Sequence, residues 1–163
     1  MLGIEEELFW ARKVERAEFR LQLLRSKFMS MLDASAWNLE DSREPFAMPD
    51  GTETKLVIVD VRSGKDKNGY DYLQPVLEIL DEPFSKDFTH FLHLPDTDRM
   101  SAKQLNRVRN SIKVFCEAFE IDTTRPFDPK DDWPGQEGWA ILGVQSNEQY
   151  GDQNYVKKFI TAQ

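Results

Sequence analysis

A chain of 163 residues, 40% hydrophobic and 12% aromatic, can bury the core of one domain with an appendage and is too rich in rings to stay disordered. A single cysteine, Cys116, excludes an internal disulfide framework and a multi-cysteine zinc site, and no run of about 18 apolar residues offers a membrane span. The net charge of −8 opposes a polyanionic partner, but it is spread unevenly: six bases face five acids in residues 1–32, one faces six in 33–53, and 14 face 18 in 54–163.

Residues 4–32 read as one long helix, the first of three segments that also include an acidic connector over 33–53 and a domain over 54–163. Trp10, Val14, Ala17, Leu21, Leu24, Phe28 and Met31 recur at alternating steps of four and three, a heptad seam without proline or interior glycine. Glu5, Glu6 and Glu7 suit the positive end of the helix dipole, and Arg25 and Lys27 suit the other end. The seam predicts self-association, docking of a replication or recombination protein, or packing on the chain's own domain. A parallel pair would set Lys13 against Glu18 but Arg20 against Arg25, so that register is poorly specified. The leading Met-Leu-Gly-Ile-Glu-Glu-Glu carries acid where a secretory signal carries base, so a cytoplasmic location is expected. The connector has two prolines and no sustained period, with Trp37, Leu39, Phe46 and Met48 as anchors.

Lys55 to Arg62 predicts a first strand with Val57, Val59 and Val61 on one face and Asp60 and Arg62 on the other. Gly64 to Gly69 is a turn and Tyr70 to Leu80 a second strand, in which Pro75 should mark an edge or a bulge. The turn's Lys65 and Lys67, bracketed by Arg62 and Tyr70 and followed by Tyr72, suit phosphate contact, although lysines also occur in turns merely for solubility. Phe88 to Leu94 predicts a third strand. Its His90 and His93 lie three apart, on opposite faces, so they make a poor metal pair and no metal or cofactor is expected. Cys116 lacks a partner base and reads as packing.

Ser101 and Gln104 form a capping-box pattern ahead of a helix to about Glu120, with Leu105, Val108, Ile112, Phe115 and Phe119 on its apolar face. No acid occurs from Ser101 to Cys116, so Lys103, Arg107, Arg109 and Lys113 give an accessory basic face. An acidic loop over 121–137 leads to a hairpin with a long loop over Gln145 to Asn154. Alternation puts Ala140, Leu142 and Val144 in the core and Trp139 outside. It places Tyr155, Lys157 and Phe159 together on one face of the last strand. Rings interleaved with cations suit stacking and phosphate neutralisation of a single strand. The alternative is that a small barrel buries those rings.

Three strands, a helix and two strands give the order of an OB-fold, a five-stranded, partly open antiparallel barrel, here preceded by the long N-terminal helix. Its binding face lies between the loops joining strands 1–2 and 4–5, where Lys65, Lys67, Tyr150 and Asn154 would sit. Phe115-Cys-Glu-Ala-Phe-Glu-Ile121, Gly138-Trp-Ala-Ile-Leu-Gly-Val144 and Tyr150-Gly-Asp-Gln-Asn-Tyr-Val-Lys-Lys-Phe159 together resemble bacteriophage single-stranded DNA-binding proteins of the OB-fold type, over residues 54–161. The resemblance implies a non-enzymatic protein that binds single-stranded DNA with little sequence preference during phage replication or recombination, in the host cytoplasm. It matches Trp139, Tyr150, Asn154, Tyr155, Lys157 and Phe159. Many such proteins carry an acidic partner-binding tail where this chain reads Thr-Ala-Gln163, so the extra N-terminal helix is expected to take that role. The competing expectation is a protein-interaction module of a phage replisome or virion, with that helix as its active element.

Overall fold

The computed structural model describes residues 3–162, and for residues 26–30 the backbone only. The chain divides between Ser42 and Arg43 into two compact units. In the first, helix α1 (Gly3–Ser30) has Glu5 and Glu6 in its first turn, and a 3-10 turn follows at Leu39–Asp41. The seam residues Trp10, Val14, Leu21, Leu24 and Met31 are exposed, and so are Phe9, Phe19 and Leu23 off the seam. The side chains of Phe28 and Lys27 lie outside the described residues. Lys13 holds its ammonium 5.0 Å from the Trp10 ring.

The second unit is an open antiparallel sheet of six strands with helices: β1 (Glu53–Lys65), β2 (Asp71–Ile79), β3 (Phe88–Thr89), β4 (Leu92–His93), β5 (Glu137–Asn147) and β6 (Gly151–Ile160). Helices α2 (Ala102–Ala118) and α3 (Pro129–Asp132) lie between β4 and β5. The order across the sheet is β3-β2-β1-β5-β6, with β4 also on β2, and among the described residues no ladder joins the two outer edges into a closed barrel. Residues 46–52, assigned by sequence to the connector, run along this sheet. Phe46 bridges Ser85, the Gly51 amide donates to Leu142, and Leu142 donates back to Thr52.

The predicted third strand is two short ones. Pro75 has no N–H for the ladder, and the strand beside it breaks at His90 and Phe91, where Pro75 accepts one hydrogen bond from the His90 amide. Pro75 also pairs with Val61, next to a bulge in β1.

That bulge corrects the predicted face of β1. Ile58 pairs with Leu77 and Asp60 with Val76, leaving Val59 as the extra residue. The core side is therefore Leu56 and Ile58 before the bulge and Val61 after it, while Val57 is half-buried and Val59 exposed. A second bulge corrects β6. Lys158 pairs with Ile141 and Val156 with Leu142, so Lys157 is extra and the alternation inverts. Phe159, expected outside with Tyr155, instead faces the core beside Ala140. Its ring meets Phe115 at 5.6 Å, Phe119 at 5.9 Å and His90 at 4.9 Å. Ala140, Leu142 and Trp139 lie as expected, the first two buried and the third exposed. The predicted long hairpin loop shrinks to three residues, because the ladder continues to Asn147 and Gly151.

Helix α2 starts with the predicted capping box: Gln104 N donates to Ser101 Oγ and Ser101 N to Gln104 Oε1. It lays Phe115, Cys116 and Phe119 on the sheet, and Trp133 after α3 completes a ring cluster with Phe115 at 5.3 Å. Burial pushes the Cys116 thiol up to about 11, so it stays protonated and unreactive at neutral pH.

Candidate nucleic-acid interface

The β1–β2 turn is built on Asp66. Its Oδ1 accepts the amides of Asn68 and Tyr70, Gly69 takes the left-handed conformation (φ 80°), and Oδ2 lies 3.1 Å from His93 Nε2 on β4. Burial alone would raise this carboxyl, but the Tyr70 amide, His93 and the Asn68 amide together hold it below the usual range. Arg99 braces the turn from outside. Its guanidinium donates to the Gly69 and Asn68 carbonyls, pairs with Asp96 at 2.8 Å, and lies 4.5 Å over the Tyr70 ring.

On the outer face of β2, Tyr72 stands opposite Gly64 of β1 and His93 of β4. Its ring lies so close over β1 that a Cβ on Gly64 would sit 2.7 Å from the hydroxyl. Phe91 meets Tyr72 at 4.4 Å and His93 at 4.7 Å, and remains 43% exposed. Arg62 pairs with Gln74 beside this row. The hairpin repeats the device, since Tyr155 lies flat over its cross-strand partner Gly143, where a Cβ would fall inside the ring.

The residues singled out by sequence thus fall into groups. Arg62, Lys67, Tyr70 and Tyr72 belong to the β1–β2 side, where Arg62 and Lys67 are exposed and make no ion pair among the described residues. Lys65 is engaged by Asp71 at 2.7 Å. Trp139 and Tyr155 are exposed on β5–β6, and Tyr150 is exposed in the tight loop, where its carbonyl accepts from Lys86. The bulged Lys157 pairs with Asp50 at 3.0 Å, which lowers the Asp50 carboxyl and raises the lysine.

Asn154 is the second correction to the site. It is 3% exposed, its amide donates to the Met48 and Gly143 carbonyls, and its Oδ1 accepts the Met48 amide. Those bonds clip residues 46–52 to the hairpin and leave no free edge for a ligand. Phe159, turned inward, is equally removed from any outer surface.

Sequence reading did not single out Phe91 or Arg99 for the site, nor His93 except as a rejected metal ligand. The available signal was a glycine opposite a tyrosine, Gly64 with Tyr72, which becomes visible only once the register is known. The basic face of α2 stands as expected: Lys103, Arg107, Arg109 and Lys113 are exposed, and only Lys113 has an ionic partner, Glu117 at 3.9 Å. Among the described residues no cluster of His, Cys, Asp and Glu could hold a metal, and no helix is long and apolar enough to cross a membrane. In comparison with known proteins, no family model matches the chain, and no curated sequence matches it significantly.

Proposed function

We propose that the second unit binds single-stranded DNA without catalysis and with little sequence preference, in phage replication or recombination. The observation that carries this is the Tyr72–Phe91–His93 row on the open face of the sheet, beside the unpaired cations Arg62 and Lys67. Flat rings accept any base face, and neighbouring cations neutralise phosphate. The strand order supports an OB-fold-like reading. β3 and β6, the outer edges of this sheet, are the strands that an OB barrel brings together, and His90 beside β3 touches Phe159 of β6 across that gap.

Fluorescence anisotropy of a labelled oligo-dT at low and moderate salt tests the reading. Binding at low salt that weakens steeply with added salt is expected, and Phe91→Ala should cost about 1–3 kcal/mol of affinity. An absence of binding at low salt would refute it.

A second reading is favoured by the bare apolar side chains of α1, from Ile4 to Leu24. In it, α1 docks a protein of the replisome or virion. Lys13 and Arg20 flank the seam, so the matching surface is a helix with acidic flanks. Binding of DNA by the full chain, with loss of a protein partner but not of DNA when residues 3–32 are deleted, would assign one task to each unit.

A further inference from the structure

Two clefts flank helix α2. One, of about 400 Å³, lies between the β1–β2 turn, β4 and the helix, and includes Tyr70, Phe91, His93, Gln104 and Arg107. The other, of about 440 Å³, lies between the helix and β6, and includes His90, Asn110, Lys157, Lys158 and Phe159. Ser111 lines both, so they form one trough that crosses the sheet where β3 and β4 are interrupted.

The charges along it are sorted. Arg107 and Lys158 are exposed and have no ion-pair partner among the described residues, and Asp66, already engaged by His93, is the one acid lining either cleft. The acids follow further along the chain, from Glu117 to Glu137. Helix α2 also carries its charges against its own dipole, with no acid in the first turn and no base in the last, while Lys103 and Arg107 sit in the half where carboxylates stabilise. Folding does not require that arrangement, but an anionic chain laid along the helix would make use of it.

We infer that the single strand crosses the α2 trough from Tyr70 and Phe91 to Lys158, with its phosphates on Arg107 and Lys158, and does not run over Trp139 and Tyr155 of the β5–β6 face. This rests on the DNA-binding reading above and adds the path. Rings at one end and cations along the floor favour a polynucleotide over an acidic peptide, which has no bases to stack.

The test is oligo-dT anisotropy with the full chain over a salt series. Arg107→Glu with Lys158→Glu is expected to weaken binding at least 30-fold. The milder Arg107→Gln with Lys158→Gln should weaken it about tenfold and flatten the log–log salt slope by about two, one for each lost phosphate contact. Trp139→Ala with Tyr155→Ala should change affinity less than threefold. The thermal midpoint of Arg107→Glu should stay level or rise, because an acid then sits in the dipole-favoured half of α2. The path is overturned if the glutamine pair binds within threefold of the parent, if Trp139→Ala with Tyr155→Ala abolishes binding, or if polyglutamate displaces the oligonucleotide at equal charge. A parent chain that binds no oligo-dT would remove the DNA-binding reading itself.

Discussion

Helices α1 and α2 have similar sequence signatures, apolar residues stepped by three and four, yet opposite environments. In α2 the stripe ends in Phe115 and Phe119, both fully buried against the sheet and Trp133. In α1 the corresponding side chains are exposed, Trp10 at 59% and Leu24 at 62%. Periodicity reports that a face wants a partner. It does not report where the partner is, and that difference separates an element that builds the fold from one available to another molecule.

The largest expected contrast is in stability. Phe115→Ala should cost about 3–5 kcal/mol in denaturant unfolding, since it opens a cavity among rings, whereas Leu24→Ala should stay within about 0.5 kcal/mol. Equal costs would break the comparison. Next is the pH dependence centred on His90, which lies parallel to Phe115 and edge-on to Phe159. Burial lowers its pKa from 6.5 to about 4, so the folded protein keeps the ring neutral while the unfolded chain takes up a proton first. Stability is then complete above pH 6.5 and declines as pH falls towards 4, by up to about 3 kcal/mol. His90→Phe should flatten that decline in a series of thermal melts.

A smaller effect is expected at Asn154. Asn154→Ala strands the Met48 amide and carbonyl and should cost about 1–3 kcal/mol, with faster proteolysis near residue 48. Smallest is Ser101→Ala, about 1 kcal/mol, from loss of the α2 cap.

The α2 cap, the apolar face of that helix and the core positions Ala140 and Leu142 were legible because each depends on residues a few places apart. The two bulges were not. A strand's alternation is readable only while its register is unbroken, and nothing local to Val59 or Lys157 announces an unpaired residue. Phe159 consequently moved from the proposed binding face to the core. Asn154 misled for a related reason: an asparagine beside a turn reads as a solvent-facing group, but its partners, Met48 and Gly143, come from elsewhere in the fold. The interruption at His90 and Phe91 was half legible, since Pro75 signalled a defect in the ladder but not on which strand the gap would fall.

The central claim is that a single strand lies on the β2–β4 face and the α2 trough of the second unit. Its most direct measurement is amide chemical-shift mapping of the isotope-labelled full chain titrated with oligo-dT. The account predicts shifts concentrated at Tyr72, Phe91, His93, Arg107, Ser111 and Lys158, with α1 unchanged. Shifts confined to Trp139 and Tyr155, or none at saturating oligonucleotide, would contradict it.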